Sequence, residues 1–255
     1  MARESKSAAK RWNWRLLLGI AALALLTASV AMAAYQVRRF AISDPQFALS
    51  PDRKDALEID GLRYGSRTRV LREFSPDFGR SIFQAPLALR RRHLLDIDWV
   101  EDASISRLWP DRIVVRIRER KPIAFVSFRS GVELIDAHGV LLEPPPQAQF
   151  AFPVLSGIGA QDTLEQRRAR VRAFLEVQEE MGYLAKDISE VNAADPGDIR
   201  VVAQVDDRAV ELLLGDSDFG RRYQNFLNHY PEIRKHSPDA KRFDLRLEDR
   251  ITAKD

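Results

Sequence analysis

The segment Asp98–Ala124, DWVEDASISRLWPDRIVVRIRERKPIA, constrains the fold more than any other part of this chain. Two runs in it alternate apolar and polar side chains, a pattern typical of strands with one buried and one solvent-facing side. Trp109-Pro110-Asp111 connects the two runs, so the segment predicts a strand pair, and no catalytic group stands out in it. The side chains expected to point inward are Val100, Ala103, Ile105, Ile113, Val115 and Ile117.

Trp99 and Trp109 both belong to this segment. Two exposed tryptophans so close together would mark a binding hot spot. A small module, however, has few ways to bury apolar area, and its large aromatic side chains usually form the core. We therefore expect both tryptophans to be core residues, with the exposed hot spot as the alternative.

Three further elements are predicted upstream of the strand pair. Leu57–Ile59 alternates like a short strand and stops at Asp60-Gly61, a turn signal. Ser66–Phe74, with Ser66 as its cap, and Pro86–Leu95 have the apolar spacing and first-turn residues of helices. The predicted order is strand, helix, helix, strand, strand.

The chain beyond Ala124 is predicted to be rich in strands and to contain two helices. Pro144-Pro145-Pro146 interrupts any hydrogen-bond ladder. Pro231 is expected to end the second helix, because proline lacks the N–H that a helix interior requires. The predicted elements are hairpins of Ile123–Phe128 with Val132–Ile135 and of Ile199–Ala203 with Val210–Leu214, helices opening at Thr163 and Phe219, and a last strand with Phe243, Leu245 and Leu247.

Leu16–Val37 is an uncharged run of 22 residues. At about 1.5 Å per residue, a helix of this length crosses a hydrocarbon core of about 30 Å. Five basic residues precede the run and Arg38-Arg39 follows it, so the positive-inside bias places residues 1–15 in the cytoplasm and the body outside it. The alternative is a signal peptide cleaved near Ala31-Met32-Ala33. The apolar run continues past that point, which favours an uncleaved anchor.

Charge is distributed unevenly along the chain. Residues 1–39 hold seven Lys/Arg and one acid, whereas the rest holds 33 basic and 36 acidic residues. The exported part is therefore mildly acidic, which argues against nucleic acid as a partner. Cysteine is absent, so thiol catalysis, disulfides and cysteine-based zinc sites are excluded.

Groups able to carry chemistry are scattered. The four histidines lack the spacing of metal ligands, and Gly157-Ile158-Gly159 lacks the third glycine of a dinucleotide loop. The carboxylate pairs Asp206-Asp207 and Asp216/Asp218 fit turns and helix caps. Arg90-Arg91-Arg92 is expected on a solvated helix face, with contact to an acidic partner as the alternative. We predict no enzymatic activity, cofactor, metal or small-molecule substrate.

Several short motifs resemble the FtsQ/DivIB family of bacterial cell-division proteins, and they follow the family's order almost to the C-terminus. They are Asp98-Trp99-Val100-Glu101, Ala103-Ser104-Ile105-Ser106-Arg107, Trp109-Pro110, Glu119-Arg120-Lys121-Pro122-Ile123-Ala124, Leu134-Ile135-Asp136 with Gly139, Phe152-Pro153-Val154-Leu155 with Gly157, and Phe243-Asp244-Leu245-Arg246.

The resemblance implies an α+β protein with an uncleaved anchor, a single-pass protein of the inner membrane whose periplasmic body acts at the division septum. The implied segments are a cytoplasmic tail 1–15, a transmembrane helix 16–37, a linker 38–53, a POTRA domain 54–122 of order β-α-α-β-β, and a β domain 123–255 with a mostly antiparallel sheet and two or more helices. The POTRA structural motif is assigned to Gly61, Trp99, Val100, Arg107, Trp109, Pro110, Glu119 and Pro122.

The family has no known enzymatic activity. Its members are divisome scaffolds that bind FtsB and FtsL, and contacts with FtsK, FtsW, FtsI and FtsA are also attributed to them. The resemblance implies that FtsB adds a strand near the last strand of the sheet. Phe243, Leu245 and Leu247 are expected to line or support that edge, or alternatively to fill the core, and Arg246 to pair with an acidic partner residue. The implied partner-binding residues are Arg242, Phe243, Asp244, Leu245, Arg246, Leu247 and Ile251.

One departure from the family concerns this last region. In the family the strand usually leads into a hairpin that ends in an aromatic residue, whereas here no tryptophan follows Trp109. Two rival classes have weaker support. A POTRA-bearing export or envelope-assembly factor would need a transmembrane β-barrel, which the two helices beyond Ala124 disfavour. A membrane-anchored periplasmic hydrolase would need a converging catalytic set, which the sequence does not suggest.

Overall fold

The computed structural model describes residues 14–146, 148–247 and 250–254. Its α-helices are α1 (Trp14–Ser43), α2 (Arg67–Phe74), α3 (Leu87–Leu95), α4 (Leu164–Met181) and α5 (Phe219–His236). Its strands are β1 (Leu57–Asp60), β2 (Val100–Leu108), β3 (Arg112–Glu119), β4 (Pro122–Phe128), β5 (Gly131–Asp136), β6 (Leu141–Leu142), β7 (Val154–Ser156), β8 (Ile188–Asn192), β9 (Ile199–Val205), β10 (Arg208–Gly215), β11 (Arg242–Asp244) and β12 (Thr252–Lys254). The predicted α+β class is confirmed.

α1 is an apolar helix of 30 residues. The most apolar part of its stretch Leu17–Ser43 has a mean hydropathy of 2.2 and is not buried inside the protein. At a rise of about 1.5 Å per residue, the length of α1 exceeds the thickness of a hydrocarbon core, which is about 30 Å. The helix therefore has the length and composition to cross a membrane, and it continues as regular helix past Val37 to Ser43.

The first sheet has three strands in the order β1-β3-β2. α2 and α3 lie between β1 and β2 in the chain, so the predicted order strand, helix, helix, strand, strand is confirmed. The hydroxyl of Ser66 accepts the backbone N–H of Arg69 at 3.3 Å, as a helix cap does. The fully buried side chains of this part include Val70, Phe74, Leu94, Val100, Ile113 and Val115.

The second sheet has nine strands in the order β12-β11-β10-β9-β8-β7-β4-β5-β6. It is mixed but mostly antiparallel, with parallel pairing of β10 with β11, β4 with β7, and β7 with β8. α4 starts at the predicted Thr163 with a capping box, in which Thr163 and Gln166 bond each other's backbone N–H. Side chains of α4 and α5 share one buried cluster with the sheet, including Phe174, Val177, Tyr223 and Phe226.

Several elements differ from the sequence predictions. α5 continues through Pro231 to His236 instead of ending there. Tyr230 and Ile233, on either side of the proline, both pack on the core, and this packing outweighs the lost backbone hydrogen bond. β7, β8 and β12 were not predicted, and β12 makes β11 the second strand from the edge of the sheet.

Trp99 and Trp109 lie in opposite environments. Trp99 is 5% exposed, whereas Trp109 is 66% exposed. The expectation of a core position is therefore correct for Trp99 and wrong for Trp109. Trp109 precedes Pro110 in the turn between β2 and β3.

The chain divides into two compact units. Among the described residues, one comprises 14–60, 71–90 and 105–115, and the other comprises 61–70, 91–104 and the chain from 116 onward. The first contains the buried pair of Arg90 and Asp77, whose Nε and Oδ2 atoms are 2.7 Å apart. The hydrogen bond to Asp77 raises the pKa of Arg90. Arg90 is thus not on a solvated face, contrary to the prediction for the Arg90-Arg91-Arg92 run.

Candidate partner-binding edge

Two residues of the POTRA motif fix the turn that follows β1. The Glu119 carboxylate accepts backbone N–H groups from Arg63 at 2.9 Å, Tyr64 at 2.8 Å and Gly65 at 2.6 Å. Gly61 has φ +81°, and a Cβ there would come within 2.0 Å of the Ile117 carbonyl oxygen. Only glycine fits such a position, so Gly61 and Glu119 hold this turn together.

Other motif residues also have structural contacts. The Arg107 guanidinium donates to the carbonyl oxygens of Ile82 at 2.6 Å and Ala85 at 2.9 Å. The Trp99 indole N–H donates to the carbonyl oxygen of Glu143 at 2.9 Å. Val100 is fully buried, and Pro122 opens β4, opposite Asp136 of β5.

The candidate binding site lies at the β12 end of the nine-stranded sheet. β11 is parallel to β10 on one side and antiparallel to β12 on the other. The Glu211 N–H donates to the Lys241 carbonyl at 2.8 Å. The Leu245 N–H donates to the Leu213 carbonyl at 2.9 Å. The odd-numbered residues along β11 therefore direct their backbone groups to β10, and the even-numbered residues direct theirs to β12.

This alternation identifies the free backbone groups of β12. Arg242 lies opposite Lys254, and Asp244 lies opposite Thr252. These are the hydrogen-bonded pairs, because Arg242 and Asp244 face β12. Bonded and non-bonded pairs alternate along an antiparallel ladder, so the N–H and C=O of Ala253 point away from β11. Among the described residues no strand pairs with β12 on that outer side.

The apolar side chains predicted at the site fall into two groups. Phe243 and Leu245 are buried, and the Phe243 ring lies 5.0 Å from that of Phe226 on α5. Leu247 is 51% exposed and Ile251 is half-buried. Phe243 thus has a core environment, whereas Leu247 is accessible to a partner. Leu245, Leu247 and Ile251 line a cavity of ≈ 290 Å³ together with Arg221, Arg222 and Asn225.

The charged residues of the site are paired within the protein. Arg242 Nε lies 2.6 Å from Glu211 Oε2. Arg246 donates to both carboxylate oxygens of Asp244, at 2.8 and 2.7 Å, and to Asp198 at 3.4 Å. The hydrogen bond that Arg246 donates to Asp244, together with the charges of Asp244 and Asp198, raises the pKa of Arg246. An acidic partner residue would have to share Arg246 with these two aspartates.

Sequence reasoning missed the outermost strand, β12 (Thr252–Lys254). The segment is three residues long, too short for an alternation pattern to be recognised. Ile251 was the only neighbouring residue assigned to the site. No group of three or more His, Asp or Glu side chains able to hold a metal ion occurs in the part of the chain that the structure describes.

The fold and this edge define a class: a POTRA-containing protein with an apolar N-terminal helix and a β-rich domain. The family model described as "POTRA domain, FtsQ-type" matches residues 55–120, and "Cell division protein FtsQ/DivIB, C-terminal" matches residues 124–246. The chain belongs to the FtsQ/DivIB family of cell-division proteins.

Relatives support this assignment. The cell division protein FtsQ of Koribacter versatilis is 36% identical over 203 residues, which are 77% of this chain and 58% of that protein. FtsQ of Shewanella oneidensis is 26% identical over 239 residues, 92% of this chain and 85% of that protein. The major extracytoplasmic domain of DivIB from Geobacillus stearothermophilus is 22% identical and covers 46% of this chain and 92% of that one, with a TM-score of 0.28, too low to bear on the fold.

Proposed function

We propose that this chain is a non-enzymatic bitopic scaffold of the divisome that binds the FtsB–FtsL complex by adding a strand of FtsB to β12. Residues 1–15 are cytoplasmic, α1 crosses the inner membrane, and the body lies in the periplasm at the septum. FtsK, FtsW, FtsI and FtsA are further partners expected from the family. The proposal accords with the family's role in cell division and with the apolar α1.

The observation that carries the proposal is the outward-pointing backbone of Ala253. Free N–H and C=O groups on a sheet edge are a ready template for another strand. In strand addition the backbone hydrogen bonds supply affinity, and alternate side chains supply specificity. The cavity next to β12, lined by Leu247 and Ile251, is placed to receive an apolar side chain of the added strand.

The test is Ala253→Pro in the full chain, reconstituted in nanodiscs and titrated with purified FtsB–FtsL. Proline is tolerated at edge positions whose N–H faces solvent, so β12 should still pair with β11. The substitution removes the outward donor and should weaken binding roughly tenfold or more, a loss of about 1.4 kcal/mol or more. Ala253→Ser keeps the N–H and should bind like the wild type.

Leu245 is a poor position for the same experiment, because its N–H is bonded to Leu213 and its side chain is buried. Circular dichroism should show that the proline and serine variants at position 253 are equally folded. Equal affinity of a folded Ala253→Pro variant and the wild type would refute strand addition at β12.

A further inference from the structure

Four aromatic rings meet where α1 ends. The Phe47 ring lies 5.6 Å from Phe40, 5.4 Å from Phe83 and 5.3 Å from Trp109. Phe47 is buried at the centre, while Phe40 is 54% and Phe83 is 40% exposed, and Trp109 is the most exposed of the four. We refer to Phe40, Phe47, Phe83 and Trp109 as the juxtamembrane aromatic patch. Large aromatic side chains clustered on a surface usually mark an interaction site.

The patch is tied to the end of α1 within one compact unit. The Ser81 hydroxyl donates to the Ala41 carbonyl, in the last turn of α1, at 2.7 Å. The Ile82 N–H donates to the Phe47 carbonyl at 2.8 Å. Arg107 then holds the Ile82 carbonyl at 2.6 Å. Phe83 and Trp109 are therefore held close to Phe40 rather than carried on a free loop.

Helix length places this end of α1 at the membrane surface. From Arg15 to Phe40 a helix rises about 37 Å, compared with about 30 Å for the hydrocarbon core and about 40–45 Å including the headgroups. If Arg15 lies at one surface, Phe40 lies in the headgroup layer of the other. Arg38 and Arg39 are one turn of helix or less from Phe40. Aromatic rings and snorkelling arginines both favour this layer.

We propose that the juxtamembrane aromatic patch is a membrane-docking surface. Phe83 and Trp109 enter the headgroup layer of the leaflet from which α1 emerges, so the POTRA domain rests on phospholipid instead of swinging on its anchor. The patch is continuous with the membrane-spanning helix through Phe40, which identifies lipid as the occupant. Arg38, Arg39 and the exposed Arg80 add a preference for anionic headgroups. The inference rests on the proposed membrane anchoring by α1.

The absence of cysteine allows a direct test with single nitroxide labels on the full chain. Phe83→Cys and Trp109→Cys variants are reconstituted in phosphatidylethanolamine–phosphatidylglycerol nanodiscs, and label access to oxygen and to a water-soluble nickel complex is measured. Tyr183→Cys is the matched control, because Tyr183 is an aromatic side chain with 76% exposure and no part in the patch. The oxygen-to-nickel access ratio should be higher at positions 83 and 109 than at 183.

A second measurement does not depend on the labelled variants. Tryptophan emission is recorded in nanodiscs of brominated lipid for the wild type and Trp109→Phe, and the difference isolates Trp109. Quenching of the difference spectrum supports docking. Docking is overturned if the Trp109 emission is not quenched, or if the access ratios are equal at all three labels. When the chain also resists carbonate extraction, such a result leaves the membrane anchor intact. If carbonate removes the wild-type chain from the membrane, the anchoring by α1 on which docking rests is overturned instead.

Discussion

The two ends of the nine-stranded sheet differ in how they treat an exposed strand edge. β6 has two residues and is followed by Glu143 and then by Pro144-Pro145-Pro146. The three prolines have no backbone N–H groups to donate to a neighbouring strand. The backbone carbonyl of Glu143 accepts a hydrogen bond from the Trp99 indole N–H. β12, at the opposite end, directs the backbone of Ala253 outward beside a cavity.

The comparison indicates where partner binding is permitted. Proteins normally block their sheet edges, because free edges recruit other chains. Here the β6 end is blocked by prolines and by an aromatic cluster in which Trp99 packs with Leu134 and Leu142. An edge left open at β12 while its counterpart is blocked is the pattern expected if strand addition takes place at one end only.

The largest expected loss of unfolding free energy comes from removing the Trp99 side chain, which packs at the blocked β6 end. Trp99→Ala deletes a buried indole and its hydrogen bond to Glu143. Truncating a buried tryptophan typically costs about 3–5 kcal/mol of unfolding free energy. We expect a loss of this size in denaturant unfolding of the full chain in detergent, followed by far-ultraviolet circular dichroism.

Trp109→Ala is the matched control, since it removes the same side chain from an exposed position. It should change the unfolding free energy by about 1 kcal/mol or less, as exposed substitutions do. Equal losses for the two variants would contradict the assignment of Trp99 as the cover of the β6 end.

A smaller loss is expected from Glu119→Gln. The Glu119 carboxylate holds the N–H groups of Arg63, Tyr64 and Gly65, and Tyr64 packs against Trp99 with ring centroids 5.4 Å apart. A neutral amide accepts these hydrogen bonds less strongly, because bonds to charged groups contribute about 1.5–3 kcal/mol against about 1 kcal/mol for neutral ones. The unfolding free energy should fall by about 1–2 kcal/mol.

Glu143→Gln is the control for Glu119→Gln. It has the same chemical change, but the Glu143 side chain is 76% exposed and pairs with Arg69 at 3.5 Å. Its effect should be about 0.5 kcal/mol or less. A Glu119→Gln variant as stable as Glu143→Gln would show that the turn after β1 does not depend on the carboxylate.

Much of this fold could be predicted from the sequence, because its longer elements carry clear periodicity. The β2–β3 pair, the capping box of α4 and the turn at Asp206-Asp207 all depend on residues adjacent in the chain. β7 and β8 could not be predicted in the same way. They are short and pair in parallel with each other, and their pairing depends on residues more than thirty positions apart in the chain.

The candidate site was predictable only in part. The alternation of Phe243 and Leu245 predicts a last strand at the edge of the sheet, but the free edge belongs to Ala253, whose exposure depends on the register between β11 and β12. No local property of an alanine reveals that register. The prediction that Trp109 is a core residue was wrong for a related reason. Composition favours burial of tryptophan, whereas the exposure of Trp109 follows from its position in a turn beside Phe47.

The smallest expected effect concerns the helix that supports the open edge. Tyr223 on α5 is fully buried, and its hydroxyl has no hydrogen-bond partner among the described residues. Burial, with a smaller contribution from Asp187, raises its pKa from 10.0 to about 12. Tyr223→Phe removes an unsatisfied hydroxyl but keeps the ring, so near pH 7 the variant should be as stable as the wild type or about 1 kcal/mol more stable.

The pH dependence gives this prediction its sign. Above about pH 10 a tyrosine in the unfolded chain ionises, while the folded state keeps Tyr223 neutral up to a pKa of about 12. Ionisation then favours the unfolded state, so the wild type should lose stability between pH 10 and 12. Tyr223→Phe cannot ionise, and its advantage over the wild type should grow across this range in paired unfolding curves. If the difference in unfolding free energy between the two proteins stays constant from pH 10 to 12, Tyr223 titrates normally. Water would then reach the core beneath α5, behind the open edge.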